Sequence, residues 1–311
     1  MAPVLITGGS GVLGTAVVAN LRATHDHAVV CAPTRQDLDL SDGDAVREWF
    51  CTNRPSTVVH AAGHVRGFAA NMGDQLTGLL ANARISLNLL DACAAYPPNR
   101  LVVASSNAAY AYPFAELPLR EDALLYGDVH PGEYGYAWGH RTLIAGTTIL
   151  KRHHGIQTSV ALLTNLFGPG DRFDGDAAHV VPALIARCVA AVDDGACEVV
   201  VWGSPDTTRD FMYSEDAADA MAAILQAPDP PSILNVASGH ERTMAQTVAT
   251  IARACGFQGR ITWDNAMPVG IPRRSVDVAL LNALDRPPPV GFDEGVERTV
   301  AWYRANRVHT A

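Results

Sequence analysis

The stretch Pro3–Gly14, P-V-L-I-T-G-G-S-G-V-L-G, decides the fold of this chain. It sets a short β-rich run directly before a G-x-x-G-x-x-G turn, and an Ala/Val-rich helical stretch follows. The glycines allow a tight turn, and the N-terminus of the next helix offers unpaired N–H groups to a pyrophosphate. This context favours dinucleotide binding over an ordinary glycine turn and predicts an α/β fold, a Rossmann-type doubly wound parallel sheet. The cofactor residues expected in the turn are Gly8, Gly11, Val12, Leu13 and Gly14.

The second predicted strand, His27–Cys31, bears on the choice between NAD and NADP. It ends without the acidic residue that binds the adenosine ribose in NAD enzymes, and Thr34 and Arg35 follow instead. A guanidinium suits the 2′-phosphate of NADP, although a solvated loop arginine is the alternative. We therefore expect NADP(H). Four further residues complete the expected cofactor set, two near the adenine and two small ones after the next strand, namely Asp39, Leu40, Ala61 and Ala62.

The candidate catalytic helix begins within Glu133–Thr142, E-Y-G-Y-A-W-G-H-R-T. Tyr136 and His140 are four residues apart, which places them one turn apart on the same helix face. A free phenol titrates near pH ~10, so a neighbouring cation makes tyrosine a better proton-transfer group. Since histidine is charged only part of the time, we expect activity to fall as pH rises through the pKa of His140. The stretch resembles the Tyr-x-x-x-Lys helix of the short-chain dehydrogenases, and this resemblance also implies His140 at the nicotinamide ribose.

A pair of hydroxyl groups ends the strand predicted over Arg100–Asn107. Ser105 and Ser106 are ordinary as turn or cap residues. They gain significance from Tyr136, about 30 residues further on, because this gap resembles the one between the substrate-holding serine and the tyrosine of the short-chain dehydrogenases. The sequence therefore predicts one serine of the pair, without choosing between them, as the catalytic partner of Tyr136.

The composition of the 311 residues limits the function classes. A net charge of −9, from 23 Lys and Arg against 32 Asp and Glu, argues against a nucleic-acid or anionic-membrane surface. Six scattered cysteines without C-x-x-C spacing favour reduced thiols in a cytoplasm, and no metal site is expected. No apolar run approaches ~20 residues and no basic n-region opens the chain, so we expect neither a membrane span nor a signal peptide.

The chain is expected to divide into two parts. Residues 1–166 form the NADP-binding domain, with returning segments at about 205–240, and residues 167–311 mainly bind substrate. A final helix is expected over about 293–305. The C-terminal half contains several arginines, and the last of this set lie in Pro272-Arg273-Arg274. Because arginines bind phosphate oxygens in pairs, the set suits a diphosphate-linked sugar. The alternative is that these residues are ordinary surface and core residues without a role in binding.

The residues resemble those of the extended short-chain dehydrogenases/reductases, and within them the GDP-L-fucose synthases, NADPH-dependent epimerase/reductases of GDP-4-keto-6-deoxymannose. The likeness rests on Thr34-Arg35 with Asp37-Leu38, Thr164-Asn165-Leu166 with Gly168-Pro169, His179-Val180 with Pro182-Ala183-Leu184, Val200–Ser204, Arg209 with Phe211, and Gly270 with Pro272-Arg273. It implies a homodimer whose interface includes the Tyr136 helix. It also implies a GDP-linked sugar bound by Asn165, Val180, Leu184, Arg187, Trp202, Ser204, Arg209 and Arg273.

The chain departs from this family at two catalytic positions. The family has lysine where His140 stands, and a proton-transferring cysteine just after the serine pair, where this chain has Asn107. A carboxamide does not titrate, so it cannot act as a base. His179 falls on the family's second proton-transferring residue. Three functions stay open: a reductase of a GDP-linked 4-keto sugar, a redox-neutral epimerase or isomerase, and a non-catalytic protein that binds the nucleotide sugar or NADP.

Overall fold

A parallel sheet of six strands forms the centre of the part of the chain that the computed structural model describes, residues 3–24, 30–175, 178–264 and 270–307. Its strand order is β2-β1-β3-β4-β5-β9. The strands are β1 (Val4–Thr7), β2 (Val30–Cys31), β3 (Thr57–His60), β4 (Arg100–Ser106), β5 (Gln157–Leu163) and β9 (Ile233–Val236). The predicted doubly wound sheet is confirmed. Residues 27–29 of the second predicted strand lie outside the described residues.

Helices cover both faces of this sheet. One face carries α1 (Val12–Thr24) and α7 (Ser214–Gln226), and the other carries α2 (Gly43–Asn53), α4 (Gln75–Ala95) and α5 (Tyr134–His154). Two short helices are α3 (Phe68–Gly73) and α9 (Ala279–Asn282). Strands buried on both faces are continuously apolar, and Leu101, Val102 and Val103 of β4 alternate between the two cores while fully buried.

Close packing of α4 against α5 fixes the position of the candidate catalytic helix. A Cβ at Gly135 would lie 1.9 Å from the Gln75 carbonyl oxygen, and one at Gly139 would lie 2.7 Å from the Cβ of Asn82. Glycine is therefore required at both contacts, since neither neighbour has room to move aside. Tyr136 lies between these two glycines, so its backbone is held rigidly.

The remaining elements build a second core. A three-stranded sheet has the order β10-β8-β6 and a two-stranded sheet pairs β11 with β7. The strands are β6 (Asn165–Phe167), β7 (Glu198–Trp202), β8 (Thr208–Tyr213), β10 (Glu241–Thr243) and β11 (Arg260–Asp264). The helices are α6 (Val180–Asp193), α8 (Met244–Cys255) and α10 (Phe292–Asn306). The predicted domain division near residue 166 stays a prediction.

Two further features of the described residues bear on the sequence-based expectations. None of their helices is long and apolar enough to span a membrane. All six cysteines carry free thiols, three of them buried.

Candidate active site

The carboxyl ends of the central strands bring the candidate residues to one edge of the sheet. Gly8 follows β1, Ala61 and Ala62 follow β3, and Ser105 and Ser106 end β4. The chain passes from β1 to β2 on one side and then to β3 on the other, so a crevice forms between β1 and β3. Open α/β sheets bind their ligands at such a switch point.

Two glycines of the turn after β1, Gly8 and Gly14, have no room for a side chain. Gly8 has a φ of +72°, and a Cβ there would lie 2.6 Å from the backbone of Ala62. A Cβ at Gly14 would lie 1.9 Å from the Gly8 carbonyl oxygen, which accepts the Gly11 N–H at 3.0 Å. Val12 and Leu13 follow as the first residues of α1. The cradle fits a pyrophosphate at the N-terminus of α1.

The residues expected at the adenosine end of the cofactor differ in their exposure and in their partners. Arg35 is 83% exposed and makes only a 3.5 Å contact with Asp39, so its guanidinium is free to meet a 2′-phosphate. Hydrogen bonds from the backbone and hydroxyl of Ser41 lower the pKa of Asp39. Leu40 is 8% exposed and packs in the hydrophobic core, and its place at the adenine stays a prediction.

Tyr136 and His140 lie on one face of α5, as their spacing predicts. Their rings meet edge to face with centroids 4.5 Å apart. The two serines have different partners. Ser105 Oγ lies 3.2 Å from His140 Nδ1, whereas Ser106 forms a hydrogen bond with the Tyr136 phenol. The structure thus separates the serine pair, which the sequence left undivided. Within the described residues His140 Nε2 is enclosed and unpartnered, which fits a polar group of a bound cofactor.

Burial determines the charge at this site. It lowers the pKa of His140 to about 4 and raises the pKa of Tyr136 to about 12, while the Ser106 hydrogen bond acts in the opposite direction on Tyr136. Near neutral pH the site therefore holds a neutral imidazole and a protonated phenol. The expectation of a histidine cation that supports Tyr136 is corrected, because α5 buries the ring against β4.

Asn107 lies directly after β4 and is almost fully buried. Its carboxamide oxygen accepts a 3.2 Å hydrogen bond from Arg274 Nη1, and Nη2 of Arg274 forms an ion pair with Glu133. Sequence reasoning assigned binding to Arg273, which is 60% exposed and paired with Glu241. The adjacent arginines point to opposite environments, and it is Arg274 that contacts the candidate catalytic residues.

Arg141 is a second buried cation that the sequence did not single out. It donates hydrogen bonds to the carbonyl groups of Ala109, Leu124 and Gly127 and thereby holds the loop that follows Asn107. Its position next to His140 in the sequence was the available signal. It is a structural residue of the site wall.

The residues expected to bind a nucleotide sugar lie mostly around β6, β7 and β8. Arg187 stacks over the ring of Trp202, with 5.1 Å between the guanidinium carbon and the ring centroid, and donates to the Val200 carbonyl. Trp202 is 60% exposed, which leaves its ring free for a base or a sugar. Burial, with a smaller contribution from nearby Arg274, lowers the pKa of Arg209 to about 10.

The other residues expected to bind the sugar nucleotide differ in their partners and in their exposure. Asn165 donates to the Asp210 carbonyl, Ser204 accepts from the Asp206 N–H, and Val180 is exposed. Leu184 is 3% exposed and packs in the second core, and its contact with the nucleotide sugar stays a prediction.

His179 lies at the start of α6 beside a buried carboxylate. Its Nδ1 is 3.8 Å from Asp171 Oδ1, and the two side chains are 35% and 7% exposed. Burial raises the pKa of Asp171, and the neighbouring His179 opposes this rise. A partly exposed imidazole oriented by a carboxylate has the arrangement of a proton-transfer group.

A glycine cradle at the switch point, beside a tyrosine and a serine at the same sheet edge, defines a dinucleotide-dependent α/β enzyme. The chain belongs to the NAD dependent epimerase/dehydratase family, whose model matches residues 4–237. This membership confirms the resemblance to the extended short-chain dehydrogenases/reductases.

Known relatives match the chain over almost its whole length. It is 32% identical to "Probable GDP-L-fucose synthase 1" of Oryza sativa, with 97% of this chain and 92% of the relative covered. It is 30% identical to "GDP-L-fucose synthase" of Escherichia coli, over 98% and 97% of the two chains. The crystal structure of a GDP-L-fucose synthetase from Naegleria fowleri bound to NADP superposes with a TM-score of 0.86 at 27% identity, over 97% and 92%.

Proposed function

We propose that the protein is an NADPH-dependent reductase of a GDP-linked 4-keto sugar. The observation that carries the proposal is a protonated Tyr136 phenol, bonded to Ser106, at the sheet edge that also holds the glycine cradle. Relatives named GDP-L-fucose synthase, similar over nearly the whole chain, support the GDP-linked sugar as the substrate class. The six free thiols support a reducing, intracellular compartment for this activity.

The catalytic residues have different roles at the ketone oxygen. NADPH, held by the glycine turn, would supply the hydride for carbon 4. Ser106 holds the 4-oxygen with its hydroxyl, and Tyr136 donates its phenolic proton to that oxygen. Burial keeps Tyr136 protonated near neutral pH, so it acts as an acid in the direction of reduction. His140 binds Ser105 and packs against the Tyr136 ring, which fixes the phenol in place.

The cofactor and sugar nucleotide are held by separate groups. The turn around Gly8 and the N-terminus of α1 would hold the pyrophosphate of NADPH, and Arg35 would hold its 2′-phosphate. Arg187 and Arg209 offer guanidinium donors to the diphosphate of the sugar nucleotide, and Trp202 offers an exposed ring for stacking.

Removal of the Tyr136 hydroxyl tests this proposal. With NADPH and GDP-4-keto-6-deoxymannose, the wild-type protein should oxidise the reduced nicotinamide, followed by its absorbance. Tyr136→Phe should lower kcat by about 10²- to 10⁴-fold, the usual effect of losing one proton-transfer group. Tyr134→Phe is the matched control, because Tyr134 is an exposed tyrosine on the same helix. A folded wild-type protein that oxidises no NADPH would contradict the reductase and favour a non-catalytic binding protein.

A redox-neutral epimerase is the second candidate, favoured by the His179–Asp171 pair. His179 would then remove a proton from a carbon next to the ketone. Such an enzyme exchanges that hydrogen with heavy water without net use of NADPH. Mass spectrometry of the sugar nucleotide separates the two candidates, since deuterium uptake that is lost in His179→Gln supports the epimerase.

We further propose a homodimer that forms through α4 and α5. Large apolar side chains are exposed along both helices: Leu76, Leu80, Leu87, Tyr134, Trp138 and Ile149. A second copy of the same surface would remove this stripe from water by a two-fold packing of helix pairs. The catalytic helix would then be part of the interface.

A further inference from the structure

Arg274, Glu133 and Asn107 form a cluster beside the catalytic residues that the proposed reaction does not yet use. Arg274 is 11% and Glu133 17% exposed, so the ion pair between them is largely removed from water. The cluster joins three separate segments: the residue after β4, the residue before α5 and the C-terminal segment near β10. Its Glu133 makes no side-chain cap to α5, so its carboxylate is used for Arg274.

The contact with Arg274 determines which way the Asn107 carboxamide faces. A guanidinium only donates hydrogen bonds, so the Asn107 atom 3.2 Å from Arg274 Nη1 must be the carbonyl oxygen. The planar amide then turns its NH₂ group away from Arg274. Among the described residues this NH₂ group has no hydrogen-bond partner, and it is not among the enclosed polar atoms. Two N–H donors are therefore free directly after Ser106.

We propose that Asn107 donates a hydrogen bond to the 3-hydroxyl of the sugar, and that Arg274, held by Glu133, is the positioning residue that orients it. This inference rests on the proposed 4-keto sugar substrate. With the 4-oxygen between Ser106 and Tyr136, Asn107, the next residue after Ser106, would reach an oxygen one carbon away. Of the two such oxygens, the 3-hydroxyl accepts more readily than the ring oxygen, which is part of an acetal.

The arrangement has a chemical consequence for the carbons next to the ketone. A carboxamide holds an oxygen but does not take a proton from carbon, because it has no titratable group near neutral pH. Without Arg274 the amide could rotate and present its oxygen instead of its NH₂ group. Arg274 thereby keeps a hydrogen-bond donor, and not a base, next to carbon 3. Carbon 3 therefore keeps its proton and its configuration during reduction.

Binding to the complex with NADP⁺ tests the donor without requiring turnover, because the oxidised cofactor cannot reduce a ketone. Calorimetry compares GDP-4-keto-6-deoxymannose with the matching 4-keto-3,6-dideoxy sugar, which lacks the 3-hydroxyl. Asn107→Ala should weaken binding of the first by about tenfold, the effect of one lost hydrogen bond, and change the second by less than about twofold. Equal weakening for both sugars, or no weakening for either, would overturn the inference.

A double-mutant cycle tests whether Arg274 acts through Asn107. Arg274→Met should reproduce the loss seen in Asn107→Ala, and should add less than about twofold when Asn107 is already alanine. Arg274→Lys, which still donates to the carboxamide oxygen, should recover most of the affinity. Arg47→Met is the control, since it removes an exposed ion pair with Asp91 elsewhere on the fold. Additive losses in the double variant would contradict the positioning role.

The two proposals fail in different ways. If the wild-type protein binds both sugars but oxidises no NADPH, the reductase is wrong while the binding comparison still decides the role of Asn107. Suppose instead that the wild-type protein reduces both sugars, and that the Asn107 variants still prefer the sugar with the 3-hydroxyl as strongly as wild type does. Only the hydrogen bond from Asn107 to the 3-hydroxyl is then wrong. Thermal unfolding of each variant establishes that it is folded.

Discussion

Replacing His140 by lysine should restore a cation beside Tyr136 and shift the pH dependence of reduction. Burial lowers the pKa of His140 to about 4, so the wild-type site has no histidine charge to lose between pH 6 and pH 8. A comparable burial would still leave a lysine, with an ordinary pKa near ~10.4, charged at pH 7. The variant therefore tests a charge that the natural site lacks.

The magnitude follows from the geometry. The rings of Tyr136 and His140 are 4.5 Å apart, so a lysine ammonium would lie about 5 Å from the phenol. At an effective dielectric constant of about 20, this interaction stabilises the phenolate by about 3 kcal/mol, which lowers the pKa of Tyr136 by about two. From its present value of about 12, that pKa would move to roughly 10, and the more acidic phenol should raise kcat up to about tenfold.

The assay is NADPH oxidation measured from pH 6 to pH 10.5. Wild type should show a constant rate through pH 8, whereas His140→Lys should be faster at pH 7 and lose this advantage as the pH rises through the burial-lowered pKa of the lysine. His153→Lys adds the same formal charge at an exposed position at the end of α5 and should match wild type. A wild-type inflection near pH 6.5 would refute the neutral imidazole, and an inactive wild type with an inactive His140→Lys would support a non-catalytic role.

Three further results are expected. Arg35→Ala should raise KM for NADPH by about 10- to 100-fold and leave KM for NADH unchanged, because only the 2′-phosphate contact is lost; equal effects on both cofactors would argue against that contact. Burial also lowers the pKa of His60 to about 4, so below pH 6.5 the unfolded chain binds protons that native His60 and His140 do not. The free energy of unfolding should therefore fall by about 2 kcal/mol per ring between pH 7 and pH 5, measured by denaturant titration, and His60→Gln should reduce this fall. Leu80→Glu should convert a dimer into a monomer in light scattering, whereas Leu125→Glu, equally apolar but on a loop, should not; a monomeric wild type would contradict the interface.

Local sequence predicted the parts of the site that depend on chain order. The glycine turn follows β1 by necessity, and parallel strands place the residues after β1, β3 and β4 at one edge. The four-residue spacing likewise places Tyr136 and His140 on one helix face. These relations need only the period of a helix and the polarity of a strand, and the structure confirms them.

Tertiary packing decided the properties that depend on burial and on distant segments. The charge of His140 depends on the approach of α5 to α4 and β4, which the glycines of α5 permit but the Tyr-x-x-x-His pattern does not reveal. The exposed fractions of Leu40 and Leu184 depend on which face of each element the core covers. Both side chains pack in a hydrophobic core, which the residue type alone does not reveal.

By itself the sequence determined the doubly wound fold and the sheet edge at which the candidate site lies, because both follow from local pattern and strand order. Only the tertiary structure decided that Arg274, and not its neighbour Arg273, meets Asn107 and Glu133. Adjacent residues in an extended segment face opposite sides, and which side meets the active site depends on segments more than 130 residues away in the chain.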